Sequence, residues 1–408
     1  MGSFSLATRN GRTCLRDADG APYFALGLNH VGAVSAPGRY NDVFRDQYGG
    51  DWERLGEAAY AQLVQWGFNC CGYGAPEAIR RRMPFFACLQ VTGNSQWLPR
   101  DEFGYDDVFD GAFRTRVDAE AKRLVDEVGR DLNLIGYYWN DMPQWDIRLA
   151  REQKGTDWVS FMRSLPEGAP GRARYVEFLR ERYGTTDALN AAYGTNASSH
   201  EAVCEIDVAA LWQCARAVED DYGFLSLIAR ELYGVVSASL RNHGGDHLVF
   251  GEKYWASDMP DGVLREALPC VDALSVQWGP ERSPRGGDGY ERAFDRARID
   301  ELSARYEKPV MICDHNISFA TDEHQVTLWH RAPTRARAAD LYREFLLAAV
   351  EAPHVVGYCK CQYISRHSAW RDLLKQGMLA EDGSPYEPYG SMIGAANRGA
   401  MVRFCMQT

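Results

Sequence analysis

Two acidic residues end buried apolar runs in this sequence, Asp141 and Asp314. Asp141 follows Asn140 at the end of LIGYYWND, a run with three consecutive aromatic residues. Asp314 ends the run PVMICD and is followed by His315. An apolar run that stops at polar residues is typical of a buried parallel strand whose last residues face a cleft. We therefore predict that Asp141 and Asp314 are held opposite each other at the mouth of the fold.

The elements that would hold these acids repeat along the whole chain. Eight apolar runs of strand length occur in order, each followed by a helix-like stretch or a long loop. They cover residues 23–30, 67–74, 84–91, 134–141, 247–254, 271–278, 309–315 and 355–364. This is the pattern of a (β/α)8 barrel. We therefore predict an α/β fold of the TIM-barrel type, in which Asp141 ends the fourth strand and Asp314 the seventh.

Two features are predicted in addition to the barrel. Residues 1–20 alternate and turn at Asn10-Gly11, which predicts an N-terminal β-hairpin. Residues 142–246 contain several helical patterns and predict a helical insertion after strand four. No linker, repeat or low-complexity segment interrupts the chain, so we predict that residues 1–408 form a single barrel domain.

Polar side chains end nearly all of the eight predicted strands. Besides the two acids and Asn140, these residues are Asn29, His30, Tyr73, Gln90, Glu252, Tyr254, Gln277, Trp278, His315, Lys360 and Gln362. In this kind of barrel the carboxyl ends of the strands carry the chemistry. A buried polar group costs a few kcal/mol unless it is paired. A cleft that pairs these side chains with a polyhydroxylated ligand explains them together, so we predict that they bind substrate.

Strand alternation sorts some of these residues onto common faces. Glu252 is predicted to share a face with Phe250, and Lys360 to share one with Tyr358 and Gln362. An inward-facing lysine at a barrel mouth needs a carboxylate, a phosphate or a sugar hydroxyl as its partner. We therefore predict that Lys360 either balances the acids or binds an anionic group of the substrate.

Aromatic residues are abundant enough to build both a core and a binding surface. They make up 12% of the chain, with 11 Trp and 21 Tyr, and hydrophobic residues make up 46%. The C–H face of a pyranose packs against an aromatic ring. We predict that Trp139, Trp145, Trp255 and Trp278 form a sugar platform, with a place in the core as an equal alternative for Trp139.

Charge and cysteine content argue against several classes of protein. The net charge is −11 and no basic stripe is present, so nucleic acid is not an expected partner. No run approaches the ~20 apolar residues of a membrane span, and the N-terminus has no secretory h-region. The 11 cysteines are odd in number and lie mostly in apolar runs, as reduced core residues do. We expect a cytoplasmic protein that binds carbohydrate and no membrane, and the sequence leaves open whether it forms a homo-oligomer.

Several longer motifs resemble clan A glycoside hydrolases, in particular their agarase-like and β-galactosidase-like branch. The motifs are YFALGLNHVG, GYYWNDMPQW, YVEFLRERYGTTDALNAAYGT, KPVMICDH and VVGYCKCQYI, and their order and spacing cover essentially the full chain. The resemblance implies that Asn140 contacts a sugar 2-hydroxyl, that Asp141 is the general acid/base and that Asp314 is the nucleophile. We expect no cofactor and no metal ion.

The sequence departs from that clan at both catalytic positions, because the clan carries Glu where this chain carries Asp141 and Asp314. Shorter side chains draw the carboxyl groups apart, from the ~5–5.5 Å of retaining enzymes toward the ~6.5–9.5 Å of inverting ones. The shortening also allows Glu252, on strand five, to act as one of the pair. A different register would place Met142 at the acid position. The catalytic pair and the stereochemical outcome therefore stay open.

On this basis we predict a glycoside hydrolase that cleaves a small glycoside or oligosaccharide in an exo-acting manner, because a cytoplasmic enzyme meets no intact polymer. Two other functions fit the same fold. A metal-dependent hydrolase or isomerase would use His30, Glu252, Asp314 and His315 as ligands, although no HxH or HExxH spacing is present. A non-catalytic sugar-binding barrel would explain the shortened acids.

Overall fold

The computed structural model describes residues 3–35, 43–244, 246–255, 259–277, 294–329, 331–368 and 372–408, and its centre is a closed eight-stranded barrel. The barrel strands, named β1 to β8, are Ala25–Leu28, Cys70–Cys71, Phe85–Leu89, Leu134–Asp141, Leu248–Trp255, Leu274–Gln277, Val310–His315 and Val355–Lys360. Each strand pairs in parallel with the next along the chain, and β8 pairs with β1 to close the barrel. The predicted (β/α)8 barrel is confirmed.

Within the described ranges, three small sheets flank the barrel. Before β1, the antiparallel strands Ser5–Arg9 and Arg12–Arg16 are joined by Asn10 and Gly11, which both have positive φ as a tight hairpin turn requires. The predicted hairpin is therefore present, and Pro22–Tyr23 adds a third short strand to it. The two-stranded sheets Ser318–Phe319 with Arg331–Ala332, and Arg366–Ser368 with Leu373–Lys375, follow β7 and β8 respectively.

Helices cover the outside of the barrel. Named α1 to α13, they are Trp52–Gln65, Glu77–Arg80, Gly111–Val128, Ile147–Lys154, Trp158–Ser164, Pro170–Tyr183, Thr186–Tyr193, Val208–Leu211, Ala215–Asn242, Asp261–Ala267, Arg296–Tyr306, Arg335–Glu351 and Tyr389–Cys405. Shorter helical turns occupy Val31–Ser35, Val43–Gln47, Glu201–Glu205 and Leu268–Cys270. Many of the helices begin at an Asp or Thr whose side chain accepts a hydrogen bond from a first-turn amide, as N-caps do; Asp110, Asp146 and Thr334 are examples.

The predicted insertion after strand four is helical. Helices α4 to α9 occupy the chain between β4 and β5, and α9 is the longest of them at 28 residues. By length and composition alone, α9 is the one helix in the described ranges that could cross a membrane. However, 56% of its most apolar window is buried inside the fold, and the helix packs against α3 and α10. That is the placement of a core helix.

Apolar side chains fill two regions, the inside of the barrel and the space between barrel and helices. Phe250 lies inside the barrel with Tyr138 and Met311. Val249, its neighbour on β5, lies in the outer region with Trp139. This division follows from the alternation of side chains along a strand.

Strand β5 departs from that alternation at Gly251. The φ of Gly251 is 75°, and the pairing of β5 with β4 shifts register on either side of it. A bulge of this kind rotates the side chains that follow. Glu252 consequently reaches the hydroxyl of Tyr233 on α9, while Lys253 faces the barrel mouth. The prediction that Glu252 shares a face with Phe250 is therefore wrong.

Candidate active site

The two predicted acids meet at the mouth of the barrel, with a lysine between them. The Nζ atom of Lys253 lies 3.4 Å from Oδ1 of Asp141 and 3.5 Å from Oδ2 of Asp314. These two carboxyl oxygens are therefore no further apart than the sum of the two distances, about 6.9 Å. That bound includes the ~5–5.5 Å separation of retaining glycosidases and only the lower edge of the inverting range.

Lys253 is completely buried, and its charge depends on its acidic neighbours. Burial by itself lowers the pKa of Lys253, but the carboxylates of Asp141 and Asp314 raise that pKa well above its ordinary value. The ammonium group also lies 4.1 Å from the centre of the Tyr73 ring, a distance at which a cation is attracted to an aromatic face. Lys253 therefore stays protonated and supplies a fixed positive charge to the site.

Asp141 is the more accessible of the two acids. Its side chain is 14% exposed, whereas that of Asp314 is 2% exposed. The amide nitrogen of Gln277, at the end of β6, donates to Oδ1 of Asp141 at 2.5 Å. Asp141 thus faces the cleft from a fixed position, and Asp314 lies deeper.

A buried network supports Asp141 from behind. Glu252 accepts hydrogen bonds from Asn140 at 3.0 Å, from Trp145 at 2.6 Å and from Tyr233 at 2.8 Å. Burial raises the pKa of Glu252 to about 7, although these three donors act in the opposite direction. Asn140 accepts from the backbone N–H groups of residues 91 and 92, which ties β4 to the loop after β3.

A cleft of about 920 Å³ opens above these groups. Its lining residues come mainly from the loops that follow the barrel strands; they are His30, Tyr73, Gln90, Val91, Thr92, Gly93, Ser95, Trp97, Leu98, Asp106, Arg116, Asp141, Arg366, His367, Ser368, Leu373 and Lys375. Four of the predicted site residues, His30, Tyr73, Gln90 and Asp141, are among them. The cleft therefore lies at the carboxyl end of the barrel, where chemistry is expected in this fold.

Other predicted site residues support the cleft without lining it. Asn29 is buried and accepts a hydrogen bond from the Tyr73 amide at 2.9 Å. Trp145 stacks on Trp158 with ring centres 4.5 Å apart, so it belongs to the core rather than to a sugar platform. Trp139 is likewise fully buried. Trp278 and the side chain of Trp255 lie outside the described residues.

Four predicted ligand-binding residues are packed away from the cleft. His315 stacks on Phe345 of α12 at 4.1 Å and pairs with the Tyr358 hydroxyl at 2.8 Å. Gln362 donates to two backbone carbonyls, Tyr254 is buried among core residues, and Lys360 is buried as well. None of these four lines the cleft.

Lys360 faces the helices rather than the barrel mouth. Its Nζ donates to Asn316 Oδ1 and lies 5.9 Å from the ring centre of Tyr342 on α12 and 5.4 Å from that of Tyr389 on α13. Burial lowers its pKa to about 7. The prediction of an inward-facing Lys360 is wrong because the Cys359 face of β8, and not the Lys360 face, points into the barrel.

The structure adds functional candidates that the sequence interpretation did not include. Lys253 is the first of these candidates. A glycine inside a strand often marks a bulge, so Gly251 could have indicated that the side chain of Lys253 turns toward the barrel mouth. Trp97, Arg366 and Lys375 line the cleft from loops and from the strand pair after β8. No periodic sequence pattern marks residues in a loop or in strands of only three residues.

One group of side chains, of which His30 lines the cleft, has donor atoms that suit a metal ion. Single ligand atoms of His30, Asp314 and Cys361 lie within 4.8 Å of one another. However, Lys253 Nζ lies 3.5 Å from Asp314, and Lys375 Nζ lies 3.3 Å from the His30 ring. Two cationic groups this close repel a divalent cation. The predicted ligands Glu252 and His315 take no part in the group.

Comparison with known proteins relates the chain to agarases. No protein-family model matches it. Beta-agarase B of Vibrio sp. (strain JT0107) is 22% identical over 347 residues, which cover 80% of this chain and 34% of that protein. The chain thus spans about a third of the length of this curated relative.

Solved structures share the fold. An exo-beta-agarase superposes with a TM-score of 0.82 at 18% identity, covering 99% of this chain and 65% of that chain. A second agarase gives a TM-score of 0.79 at 18% identity with the same coverage, and a β-glucuronidase of Bacteroides uniformis gives 0.52 at 11% identity, covering 96% and 37%. The predicted resemblance to agarase-like clan A glycoside hydrolases is therefore confirmed in sequence similarity and in fold.

Proposed function

We propose that this chain is a glycoside hydrolase and that Asp141 and Asp314 are its catalytic pair. The observation that carries the proposal is the placement of these two carboxyl groups on either side of Lys253, with Asp141 lining a cleft at the carboxyl end of a closed barrel and Asp314 behind it. Cleavage of a glycosidic bond needs two carboxyl groups at this kind of spacing. The similarity to beta-agarases supports the same chemistry.

In this mechanism Asp141 acts as the general acid and Asp314 as the nucleophile or base. Asp141 is the acid because it lines the cleft, where it can reach a leaving oxygen. Asp314 lies deeper and either attacks the anomeric carbon or activates a water molecule. Glu252 is a positioning residue, since it is fully buried and bonded to Asn140, Trp145 and Tyr233.

The substrate proposed is a small glycoside or oligosaccharide, cleaved from its end. The cleft volume of about 920 Å³ is that of a site for a few sugar units at most. The exo-beta-agarase with the same fold supports an exo mode of action. Trp97, which lines the cleft, is the aromatic face proposed for sugar stacking.

Two substitutions test the pair. Asp141→Asn and Asp314→Asn should each lower kcat/KM on an aryl β-glycoside, or on agarose oligosaccharides, by at least ~100-fold, the usual contribution of acid–base catalysis. Asp101→Asn, which makes the same change on an exposed loop, serves as the matched control and should retain full activity. Near-normal rates in either active-site variant, with folding verified, would remove that residue from the mechanism. The anomer released first, followed by NMR, distinguishes retention from inversion.

A further inference from the structure

Two cationic side chains face the cleft from the strand pair that follows β8. Arg366 and Lys375 are direct partners in the antiparallel ladder formed by Arg366–Ser368 and Leu373–Lys375. Side chains at directly opposite positions lie on the same face of a ladder. Both residues line the cleft.

Neither cation is balanced by an acid in the described part of the chain. The other charged lining residues already have partners: Arg116 pairs with Asp106 at 2.6 Å, and Asp141 pairs with Lys253. No carboxylate of the described residues forms an ion pair with Arg366 or Lys375. Lys375 instead contacts the His30 ring nitrogen at 3.3 Å, with its Nζ 4.9 Å from the ring centre of Trp97.

The two cations repel each other in the free protein. Like charges at directly opposite ladder positions destabilise a strand pair. Arg366 is exposed at the cleft and Lys375 is half-buried, whereas burial together with Lys375, Lys253 and Arg366 lowers the pKa of His30 well below its usual value. His30 is therefore neutral, so it accepts from Lys375 and adds no charge. Asp141 and Asp314 share the single charge of Lys253, and neither forms an ion pair with Arg366 or Lys375. A ligand that supplies a negative charge therefore explains why the two cations face the cleft.

We propose that the cleft binds a sugar bearing an anionic substituent, a carboxylate or a sulfate ester, and that Arg366 and Lys375 bind that substituent. The planar guanidinium of Arg366 offers two parallel N–H donors to the oxygens of such a group, and Lys375 adds a point charge. Trp97, beneath Lys375, lies where a sugar ring can stack beside the bound anion. This proposal rests on the proposed function in that it assigns a sugar to the same cleft.

Binding to the full chain is the direct test, because it does not depend on turnover. Galacturonate, galactose 6-sulfate and galactose differ only at C6, and glucuronate with glucose forms a second set. By calorimetry we expect at least one charged sugar to bind about tenfold more tightly than its neutral parent, a difference that shrinks as salt is added. Comparing the affinities for galacturonate and for galactose 6-sulfate identifies whether a carboxylate or a sulfate is preferred. Equal affinities for charged and neutral sugars in both sets would overturn the proposal.

Variants assign the effect to the two residues. Arg366→Met and Lys375→Met should each lower the preference for the charged sugar, and the double variant should abolish it. Lys122→Met removes an exposed lysine on α3 and is the control. Without ligand, the two cleft variants should unfold at the same or a higher urea concentration than the parent, because a repulsion has been removed. A preference that survives in the double variant refutes the assignment. Anion preference without hydrolysis would reject only the hydrolase function.

Discussion

Lys253 determines how the two acidic side chains can coexist in a buried site. Two carboxylates without a cation would repel each other strongly where water is excluded. The ammonium group, at 3.4 Å and 3.5 Å from them, compensates one of the two negative charges. Gln277 then fixes the orientation of Asp141 by its hydrogen bond. The pair is therefore preorganised before substrate enters, which is a requirement for efficient transition-state stabilisation.

Removing the charge of Lys253 should destabilise the fold. Lys253→Met leaves two acids in the barrel mouth without their buried cation, and breaking a buried ion pair in this way costs about 3 kcal/mol or more. Urea unfolding measures this loss. The double variant Lys253→Met, Asp314→Asn should recover part of it, because it removes one of the stranded charges. Lys122→Met, the exposed control, should change stability by no more than about 0.5 kcal/mol. A Lys253→Met protein as stable as its parent would contradict the assigned ion pairs.

At the scale of elements, strand β5 shows where sequence patterns succeed and fail. The eight strands could be predicted because each is a compact apolar run. Asp141 and Asp314 could be placed because they end such runs. Glu252 was assigned to the wrong face, and Lys253 was not recognised, because period-two alternation assumes an uninterrupted ladder, and Gly251 interrupts it. Lys360 was misplaced for a different reason. Residues Gly357 to Lys360 pair with β1 without a register shift, but the sequence pattern alone does not say which face of a strand buried on both sides points into the barrel.

The bulge at Gly251 should tolerate no side chain. A Cβ atom there would lie 2.9 Å from Val271 Cγ1, and the φ of 75° is unfavourable for any residue but glycine. We expect Gly251→Ala to destabilise the protein by about 2 kcal/mol. It should also lower activity, because Lys253 would move relative to the two acids.

Gly234 provides the matched control for this substitution. It lies within α9, and a Cβ atom at this position meets nothing within 4 Å. Gly234→Ala should therefore stabilise the protein by about 0.5–1 kcal/mol, because alanine favours the helix. Opposite signs in urea unfolding for the two Gly→Ala variants are expected. A neutral Gly251→Ala would show that the bulge does not set the direction of Lys253.

At the scale of the whole molecule, two buried groups make stability depend on pH in opposite directions. Glu252 has a pKa of about 7 in the folded protein and 4.5 as its ordinary value. The folded state therefore holds the proton more tightly. This contribution to stability is fully present below about pH 4.5 and is lost as the pH rises through about 7, by about 3 kcal/mol in total.

Lys360 acts in the other direction. Its pKa falls from an ordinary value of 10.5 to about 7 in the fold, so the unfolded chain holds the proton more tightly. A lysine of this kind penalises the folded state below about pH 7, and the penalty decreases as the pH rises from about 7 toward 10.5. The summed contribution of Glu252 and Lys360 to the free energy of unfolding is therefore smallest near neutral pH.

Urea unfolding at pH 5, 7 and 9 separates these two contributions. Relative to Glu252→Gln, the parent should lose about 3 kcal/mol between pH 5 and pH 9, almost all of it by about pH 8, because only the parent must ionise a buried carboxyl group. Relative to Lys360→Met, the parent should gain about 2 kcal/mol between pH 7 and pH 9, because its buried ammonium group becomes neutral. Glu152→Gln, an exposed change, should run parallel to the parent throughout. If all four proteins gave parallel pH curves, neither buried group would titrate as the structure indicates, and the network behind Asp141 would hold an ionised Glu252.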